Sequence, residues 1–560
     1  MRLVHGGRGR HRRDGTVHPR RGDAGVADAA PPRRVVSSRR RTPSVVIVGG
    51  GHNGLVAGCY LARAGWQVLV LEQAGKLGGG SRTDELLPGY RFNTHSAAHN
   101  IINATDIVDD LRLAEVGLAY REMDPFSTAV FTDGMVVRFH RSVAATVESI
   151  ARADRGEARR YAAWMRQAMP VVTAMRAAMD SGAGRHRRLR QLPGLLGAAG
   201  QAVARNGGPV GLGRTLLAPY GRILRERFAT ELVRAPVAAF AAHASASPDD
   251  VGGATFALWQ AFYHQVGQWH PVGGSQSLAD ALAARLTSSG GRWRTEAPVA
   301  RILRSTAPTD RVTGVELESG EHIAADAVLA AVDPQIALLG LLDPPLDGPQ
   351  ADQLRAAGRG NAVQMLVLLA TTALPAYRQG RPGDWNGLQS YVDSLASLAD
   401  GFAQAHAGHL PDDPVPTYAF TPTALDDTLA PPGQHTVYLA CPCAPYRLRG
   451  GWDAAKDEFA DRMIATVEAR APGFTSTIID RVVHTPPDMA RQLRWPGAHP
   501  MYLDISLDQL ALLRPTAALA GHLTPVRGLV ISGAGTAPVG GVAGTPGRAA
   551  ARALIRAMGR

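Results

Sequence analysis

VVIVGGGHNG, at residues 45–54, is the stretch of sequence that decides the fold. Its four leading apolar residues are typical of a short, fully buried parallel strand. They run directly into a G-x-G-x-x-G turn made by Gly49, Gly51 and Gly54. Residues 55–64 are then predicted to form a helix, because they are small or apolar and include no proline. The pattern indicates a strand-turn-helix unit that binds a dinucleotide.

Each residue of this turn has a separate mechanical role in that interpretation. Gly49 allows the tight turn, Gly51 leaves room for a pyrophosphate, and Gly54 lets the helix and strand pack closely. His52 and Asn53 complete the turn, where the helix N-terminus faces the phosphates. We therefore assign all five residues to cofactor binding.

An acidic residue follows at the distance that the dinucleotide interpretation requires. Residues 68–71 are the second predicted strand, and Glu72 stands at its end. A carboxylate roughly 20 residues after the turn accepts hydrogen bonds from a ribose diol and repels a 2′-phosphate. The sequence therefore predicts FAD or NAD rather than NADP.

Two more glycine-rich segments are candidates for contact with the same cofactor. Residues 78–82 read GGGSR, a flexible backbone that can wrap the nucleotide, with Arg82 as a candidate phosphate partner. Near the end of the chain, the predicted strand at residues 528–532 leads into a glycine-rich turn and a final helix with Pro546 in its first turn. That crossing provides a second helix N-terminus to face a phosphate or a flavin edge.

The composition is that of a globular protein with a basic N-terminal segment. With 560 residues, 45% of them hydrophobic and 19% charged, the chain is expected to form two to four domains. Residues 1–43 hold 12 Arg, no Lys and three acidic residues, so they carry +9 of the net +12 and the remainder carries +3. We expect this segment to be a disordered tail. The alternative is that this segment is an arm that binds nucleic acid or anionic lipid. Because the rest of the chain is nearly neutral, we expect no nucleic-acid partner.

Targeting signals and cysteine usage predict a cytoplasmic protein. Residues 38–41 resemble the start of a twin-arginine signal, but the apolar run after them has four residues, fewer than the roughly 7–15 of a signal peptide. The three cysteines cannot form a disulfide framework, and Cys441 and Cys443 are expected to be small buried residues on one strand. No stretch approaches the roughly 18 apolar residues of a membrane-spanning helix.

Between these motifs the chain alternates in character. Residues 141–263 are alanine-rich and predicted helical, and the basic run at 185–190 is either a membrane-docking patch or a solvated loop. Residues 278–331 are predicted to form a helix and then strands with a hairpin that return to a parallel strand, so this block can extend the first sheet and place Val299 near the nucleotide. Residues 345–500 are predicted to form a second layer with its own sheet.

Taken together, the motifs resemble those of the phytoene-desaturase-like FAD oxidoreductases, in the branch that includes carotenoid ketolases and pyridine nucleotide-disulfide-oxidoreductase-domain proteins. The segments that carry this resemblance are residues 45–72, 78–82, 88–92, 273–334, 507–515 and 528–548. They cover both ends and the middle of residues 44–560. The resemblance implies an α/β fold, with a discontinuous Rossmann-type FAD-binding domain and a second, mixed α+β substrate domain that contains a helical insertion.

The resemblance also implies domain boundaries. The FAD-binding domain would comprise residues 44–125, 270–340 and 520–560. The substrate domain would comprise residues 126–269 and 341–519.

By the same resemblance, FAD is the cofactor, and its binding residues are distributed along the chain. Gly49, Gly51, Gly54 and Glu72 would hold the ADP half, and Val299 would contact adenine. The set expected to lie towards or beside the isoalloxazine is Gly79, Gly80, Arg82, Gly535, Gly541 and Val542. We assign no residue to a metal.

For the chemistry, histidines are the candidates for proton transfer, because their charge can change near neutral pH. His95 and His99 are the first choices, and His270 and His499 are weaker ones. A nicotinamide-dependent disulfide reductase is disfavoured, since the sequence has neither a CxxC pair nor a second dinucleotide fingerprint.

Three functions remain open from the sequence. The first is an FAD-dependent desaturase or dehydrogenase of a lipophilic polyene or isoprenoid substrate, acting by hydride transfer to flavin N5. The second is a flavin-dependent ketolase, oxygenase or redox-neutral isomerase acting on a similar metabolite. The third is a flavin-binding scaffold without turnover. We expect oxygen or a quinone to accept the electrons, and a membrane surface to be a peripheral partner.

Overall fold

The structure is a computed structural model that describes residues 42–179, 185–509, 513–538 and 540–559, without the side chains of residues 178 and 185–192. Thr42–Arg560 forms one compact unit. The predicted tail at residues 1–43 lies almost wholly outside the described residues, as do the side chains of the basic run at residues 185–190.

Twenty strands and seventeen α-helices make up the described chain. The strands are β1 (Ser44–Val48), β2 (Gln67–Leu71), β3 (Thr83–Leu87), β4 (Tyr90–Asn93), β5 (Tyr120–Glu122), β6 (Ser127–Val130), β7 (Val136–Phe139), β8 (Trp269–Pro271), β9 (Arg292–Arg294), β10 (Val299–Ser305), β11 (Arg311–Leu317), β12 (His322–Ala324), β13 (Ala327–Ala330), β14 (Leu342–Asp343), β15 (Ala362–Thr371), β16 (Leu388–Ser390), β17 (Tyr418–Phe420), β18 (His435–Pro445), β19 (Ile478–His484) and β20 (Leu529–Ile531). The helices are α1 (His52–Arg63), α2 (Asn100–Asn103), α3 (Ile107–Asp110), α4 (Val143–Ala151), α5 (Arg155–Met179), α6 (Arg185–Arg205), α7 (Gly208–Leu217), α8 (Tyr220–Arg227), α9 (Glu231–Ala242), α10 (Ala254–Ala257), α11 (Trp259–Val266), α12 (Gln276–Ser288), α13 (Gly348–Ala356), α14 (Leu395–His406), α15 (Lys456–Glu468), α16 (Pro486–Leu493) and α17 (Thr545–Ala557).

A five-stranded parallel sheet forms the centre of the nucleotide-binding half, with strand order β20-β13-β1-β2-β9. Ile47 of β1 aligns with Val70 of β2 and Leu329 of β13, and all three side chains are fully buried. Helices α1, α12 and α17 cover one face. The continuous apolar runs read from the sequence are explained by this burial on both faces, and the predicted strand-turn-helix unit is confirmed.

The predicted extension of the parallel sheet is confirmed for β9 and β13 of this block, but not for the hairpin between them. Strands β10 and β11 do not extend the parallel sheet, but form a separate four-stranded sheet of order β12-β11-β10-β14. The apolar side of this hairpin, including Ile302 and Val315, packs against Val46 and Val328 on the second face of the parallel sheet. A hairpin with one apolar face can stack on a sheet as well as join its edge, and only β9 and β13 join it here.

A seven-stranded mixed sheet of order β19-β15-β18-β17-β16-β6-β7 forms the second layer. Its centre is the antiparallel pair β15 and β18, where Cys441 and Cys443 are buried side chains of one strand, as expected. Strands β6 and β7 join it through the parallel pair of β6 with β16. These two strands come from residues that the sequence analysis did not mark as strands.

The alanine-rich region is helical as predicted, from α4 to α11. Among the described residues, no helix is both long and apolar enough to cross a membrane. The parallel sheet draws its strands from the three segments expected for the FAD-binding domain, and the mixed sheet draws its strands from the other two. The domain boundaries themselves stay a prediction.

A buried ion pair fastens β7 to the loop after β15. The Arg138 guanidinium donates to both carboxylate oxygens of Asp384, at 2.5 and 2.7 Å, and the side chains are 10% and 1% exposed. Neither charge is hydrated, so each depends on the other.

We predict that Arg138→Met destabilises the fold by about 3–5 kcal/mol, because it leaves Asp384 buried and uncompensated. Chemical denaturation measures the change. Arg294→Met is the matched control, since Arg294 pairs with Glu321 in a solvated position where both side chains are more than two-fifths exposed. Equal losses of stability from the two substitutions would contradict the assignment of a stabilising role to the buried pair.

Candidate active site

Two adjoining cavities open where the parallel strands end. The proximal cavity, of about 130 Å³, lies beside Glu72, and the distal cavity, of about 200 Å³, lies beside His52 and Asn53. Five residues line both cavities: Gly51, Gly79, Ala331, Trp495 and Tyr502. The two cavities are therefore parts of one groove, as expected for a ligand stretched across the carboxyl ends of the strands.

The local geometry of the three glycines of the turn agrees with the roles predicted from the sequence, and the contact with a cofactor stays a prediction. Gly49 has φ of +100°, a conformation that favours glycine. A Cβ on Gly54 would lie 2.2 Å from the Gly49 carbonyl oxygen, so only glycine lets α1 pack there. A Cβ on Gly51 would meet no atom closer than 4.0 Å and would occupy the groove itself. That space fits the pyrophosphate of a dinucleotide.

The N-terminus of α1 is built to face an anion. Gly51 caps the helix without a side-chain hydrogen bond, and the first turn has no acidic residue. Its free N–H groups and the helix dipole therefore favour a phosphate. His52 Nε2 lies 3.0 Å from the Gly541 carbonyl oxygen, and burial lowers the pKa of His52 to about 4. A neutral His52 thus ties the N-terminal turn to the C-terminal loop.

Glu72 and Val299 both lie in the wall of the proximal cavity. Glu72 Oε2 accepts a hydrogen bond from the Gly50 N–H at 2.8 Å, and Oε1 accepts one from the Ala74 N–H at 2.9 Å. These bonds orient the carboxylate at the end of β2. A ribose contact from Glu72 and an adenine contact from Val299 agree with this placement and stay predictions.

Arg82 also lines the proximal cavity, but its guanidinium is engaged by a neighbour. It donates to Asp84 at 3.1 Å, and Lys76 reaches the same carboxylate at 2.5 Å. The predicted pairing of Arg82 with a phosphate would require it to share or leave Asp84. Gly80, from the same loop, lines the distal cavity.

The C-terminal loop reaches the distal cavity at four positions. Gly533, Ala534, Gly541 and Val542 are in its wall. Gly535 is not among the lining residues, because it is packed so that a Cβ would lie 2.8 Å from Pro334. Its neighbours Gly533 and Ala534 do line the cavity, and the flavin contact of Gly535 stays a prediction.

The two histidines favoured from the sequence have different surroundings. His95 lines the distal cavity, and its buried Nδ1 has no hydrogen-bond partner among the described residues. His99 is fully buried outside both linings, with Ser81, Ser275 and Tyr120 within 3.2 Å of its ring nitrogens.

Burial lowers the pKa of His95 to about 3 and that of His99 well below its usual range. Both rings are thus neutral, contrary to the expectation that their charge changes near neutral pH. The geometry supports a role beside the substrate for His95 and a structural role for His99. Of the weaker candidates, His270 is buried against Asp426, and His499 is also buried with its pKa lowered to about 3. Neither His270 nor His499 lines the proximal or the distal cavity.

The groove is crossed by a segment that contains His499, one of the weaker histidine candidates from the sequence. Residues 494–502 follow α16 and carry Trp495 and Tyr502, whose rings are 6.0 Å apart and line both cavities. Gly80 is required beneath it, because a Cβ there would lie 2.6 Å from the Trp495 ring. Non-glycine residues in the left-handed region cluster in this segment: Arg494, Ala498 and Tyr502. Such strained conformations persist where surrounding contacts enforce them, often at binding sites.

Arg514 fixes the end of this crossing segment. Its guanidinium is 4% exposed and donates to backbone carbonyls of Met501, Leu503 and Ala534, among others. Burial lowers the pKa of Arg514 to about 10. The bound carbonyls belong to segments that line the distal cavity, so Arg514 sets the position of that wall. The motif at residues 507–515 marked the region, but not this function.

Comparison with known proteins identifies the cofactor and the chemistry. The family described as flavin-containing amine oxidoreductase matches residues 54–555. The chain is 31% identical over 547 residues to mouse pyridine nucleotide-disulfide oxidoreductase domain-containing protein 2, covering 90% of this chain and 92% of that protein. It is 28% identical over 517 residues to phytoene dehydrogenase of Streptomyces griseus, covering 88% and 90% of the two chains.

The fold is also that of a solved structure. A crystal structure of an oxidoreductase from Methanosarcina mazei superposes with a TM-score of 0.58 at 14% identity, covering 92% of this chain and 100% of that chain. The α/β fold with its Rossmann-type sheet is confirmed. The cofactor is FAD, and the sequence prediction of this cofactor is confirmed.

We predict that Gly51→Ala weakens FAD binding while leaving the fold intact. Gly51 has φ of −69°, which alanine adopts readily, and the added methyl would stand where the pyrophosphate lies. The FAD dissociation constant should rise by roughly tenfold or more, as measured by flavin fluorescence titration. Gly54→Ala is the contrasting variant and should lower the unfolding temperature, because its methyl meets Gly49.

We also predict that Trp495→Ala accelerates FAD release about tenfold, because an aromatic ring that walls both halves of the groove is lost. The release rate is measured from the recovery of free-flavin fluorescence after dilution. Trp293→Ala is the control, since Trp293 is 43% exposed on the edge strand β9 and lines neither cavity. An unchanged release rate in Trp495→Ala would show that the crossing segment does not retain the cofactor.

Proposed function

This chain belongs to the flavin-containing amine oxidoreductase family and is an FAD-dependent oxidoreductase, and from that basis we propose that it dehydrogenates a neutral, lipophilic substrate. The observation that carries this proposal is the chemistry of the distal cavity. None of the described residues that line it is Asp, Glu, Lys or Arg. A charged substrate would lose its hydration there without gaining an ion-pair partner.

The wall of the distal cavity falls into two parts by origin. The glycine turns and the C-terminal loop contribute Gly51, Gly79, Gly541 and their neighbours, and this part suits the flavin end of the cofactor. The second part comes from helices and strands of the substrate side. Its members are His243 and Ala244 after α9, Trp259 and Tyr263 of α11, Gln364 of β15 and Phe420 of β17. Aromatic rings and small aliphatic side chains favour an apolar substrate at this end.

An amine, which is protonated in neutral water, suits this wall less well. In a buried site, an ammonium group requires a carboxylate or a set of hydrogen-bond acceptors in place of water. The lining residues offer no carboxylate. The family name therefore does not decide the substrate, and the neutral wall favours a hydrocarbon-like molecule.

Bound FAD supplies the acceptor for a hydride from a carbon–hydrogen bond. The chain itself holds the substrate against the flavin end and excludes water with Trp495, Tyr502 and Phe420. Dehydrogenation also releases a proton, and His95 is the titratable side chain best placed to receive it, with its buried Nδ1 unpaired among the described residues. With its pKa lowered to about 3 by burial, His95 would be a weak base.

The names of similar proteins support the same reaction type. A phytoene dehydrogenase and a zeta-carotene-forming phytoene desaturase of Myxococcus xanthus are similar to this chain over 87–88% of its length. By analogy, we propose an isoprenoid or polyene substrate, with oxygen or a quinone as the electron acceptor. Peripheral contact with a membrane surface belongs to the same proposal. It is supported by Leu196, Val210 and Leu217, which are 63%, 86% and 55% exposed on α6 and α7.

We predict that a neutral lipid fraction of the producing cell bleaches the flavin of FAD-loaded protein in the absence of oxygen. Extracts are separated into neutral, cationic and anionic fractions and mixed anaerobically with the protein. Only the neutral fraction should reduce the flavin, and its product should have lost two hydrogen atoms by mass spectrometry. NADH should not bleach the flavin.

The other functions give different results in this experiment. Incorporation of labelled oxygen on aeration would indicate a ketolase or oxygenase, and a product of unchanged mass would indicate an isomerase. Bleaching by the cationic fraction would establish amine oxidation instead and overturn the proposal. The Gly51→Ala protein, which should bind FAD more weakly, controls for chemistry that does not pass through the groove, because its flavin bleaching should fall with the FAD that it retains.

A further inference from the structure

We propose that the substrate carries a hydroxyl group, which is bound by a neutral polar cluster of Asn100, Tyr263 and Gln268 in the wall of the distal cavity. The inference rests on the proposed function, since it names the class of substrate for the same cavity. It narrows the proposed substrate from any hydrocarbon-like molecule to an alcohol whose remaining atoms are apolar.

The cluster is held together by Asn100. Its Nδ2 donates to the Tyr263 hydroxyl oxygen at 2.5 Å, and its Oδ1 accepts from the Trp269 N–H at 3.0 Å. Trp269 is the residue next to Gln268, so one amide ties the segment of Gln268 to the ring of Tyr263. All three side chains of the cluster line the distal cavity and are at most 8% exposed.

The cluster has hydrogen-bonding capacity that the protein does not use. The Tyr263 oxygen accepts from Asn100, and among the described residues no acceptor is found for the Tyr263 hydrogen. Burial raises the pKa of Tyr263 above its usual range, so this hydrogen remains in place as a donor. The Gln268 Oε1 is buried without any partner in the described part of the chain. A buried amide oxygen without a partner is costly, and a ligand that donates to it would remove that cost.

A hydroxyl is the group that matches both free positions. It accepts one hydrogen bond, here from Tyr263, and donates one, here to Gln268. An ether or a ketone can only accept, and would leave Gln268 unpaired. An ammonium or a carboxylate would bring a charge to a cluster that has none to offset it.

The surroundings of the cluster limit the rest of the ligand to apolar chemistry. Phe240 packs edge-on against Tyr263 at 4.6 Å between ring centroids, and Phe262 lies at 6.0 Å. Beyond them the wall continues with Trp259 and Phe420. One hydroxyl on an apolar molecule therefore satisfies the polar cluster and the aromatic wall together.

The test measures binding to the FAD-loaded protein with matched ten-carbon probes. Decan-1-ol, decyl methyl ether, decylamine and decanoate are titrated while the flavin absorbance spectrum is followed. We expect decan-1-ol to bind about tenfold more tightly than the ether, the value of one buried hydrogen bond. Tightest binding of the amine or of decanoate, equal binding of alcohol and ether, or no binding of any probe would each overturn the proposal.

Variants separate the cluster from general packing. Gln268→Leu should bring the ratio of alcohol to ether affinity close to one without weakening the ether, because only the alcohol donates to Gln268. Tyr263→Phe removes the donor that both probes accept from, so it should weaken both probes and leave the ratio above one. Tyr377→Phe removes another buried hydroxyl, which pairs with Tyr391 and lines neither cavity, and should keep the wild-type ratio. Gln268→Asn, which shortens the amide, replaces the leucine variant if that protein does not fold. A preference for the alcohol that survives Gln268→Leu, or binding of both probes that is unchanged in Tyr263→Phe, would refute the assignment.

The result is distinguishable from a failure of the proposed function. An alcohol preference that depends on Gln268, together with no flavin bleaching by neutral lipids, would support the cluster and reject the dehydrogenation. Bleaching by neutral lipids that lack a hydroxyl, with no alcohol preference, would support the dehydrogenation and reject the hydroxyl-binding cluster.

Discussion

The close approach of two glycine-rich backbones is the constraint on which the rest of the structure depends. Gly78 donates to the Gly50 carbonyl oxygen at 2.9 Å, and a Cβ on Gly79 would lie 3.2 Å from the Gly51 Cα. No side chain separates the two loops, so the groove between them can be narrow enough to hold a pyrophosphate by backbone groups. Because the turn is also fixed to β1 and α1, the position of the cofactor follows from the packing of the parallel sheet.

The walls of the two cavities differ in their charged side chains. The proximal cavity has Glu72, Lys76 and Arg82 in its wall, which suits ribose and phosphate groups. The distal cavity has only neutral side chains, and burial keeps His52 and His95 uncharged by lowering each pKa to 4 or below. A low-dielectric end of this kind excludes charged ligands and strengthens each remaining hydrogen bond. The groove thus offers charged groups at its proximal end and neutral groups at its distal end.

The sequence predicted the parts of the site that local chemistry determines. The β1 turn, Glu72 and the final strand-to-helix crossing are each specified within a few residues, by buried apolar runs and by glycines that no other residue can replace. Gly535 shows what such a motif cannot predict. A glycine is needed at this position of the loop, but the reason is the close packing of Pro334 and not a place in the cavity wall. The hairpin of β10 and β11 shows another limit. Its apolar face fits a stacked position as well as an edge position, and only the packing against Val46 and Val328 decides between them.

The substrate side was beyond sequence reasoning for a physical reason. Asn100, Tyr263 and Gln364 come from α2, α11 and β15, and no spacing along the chain brings these elements together. Neither Trp495 nor Arg514 stands in a periodic pattern, and Arg514 acts through backbone carbonyls, which every residue possesses. Such a wall depends on tertiary contacts that can change without disturbing the glycine turns. A scaffold of this design can therefore keep its cofactor while its substrate changes, which is why the chemistry of the wall, rather than the fold, must identify the substrate.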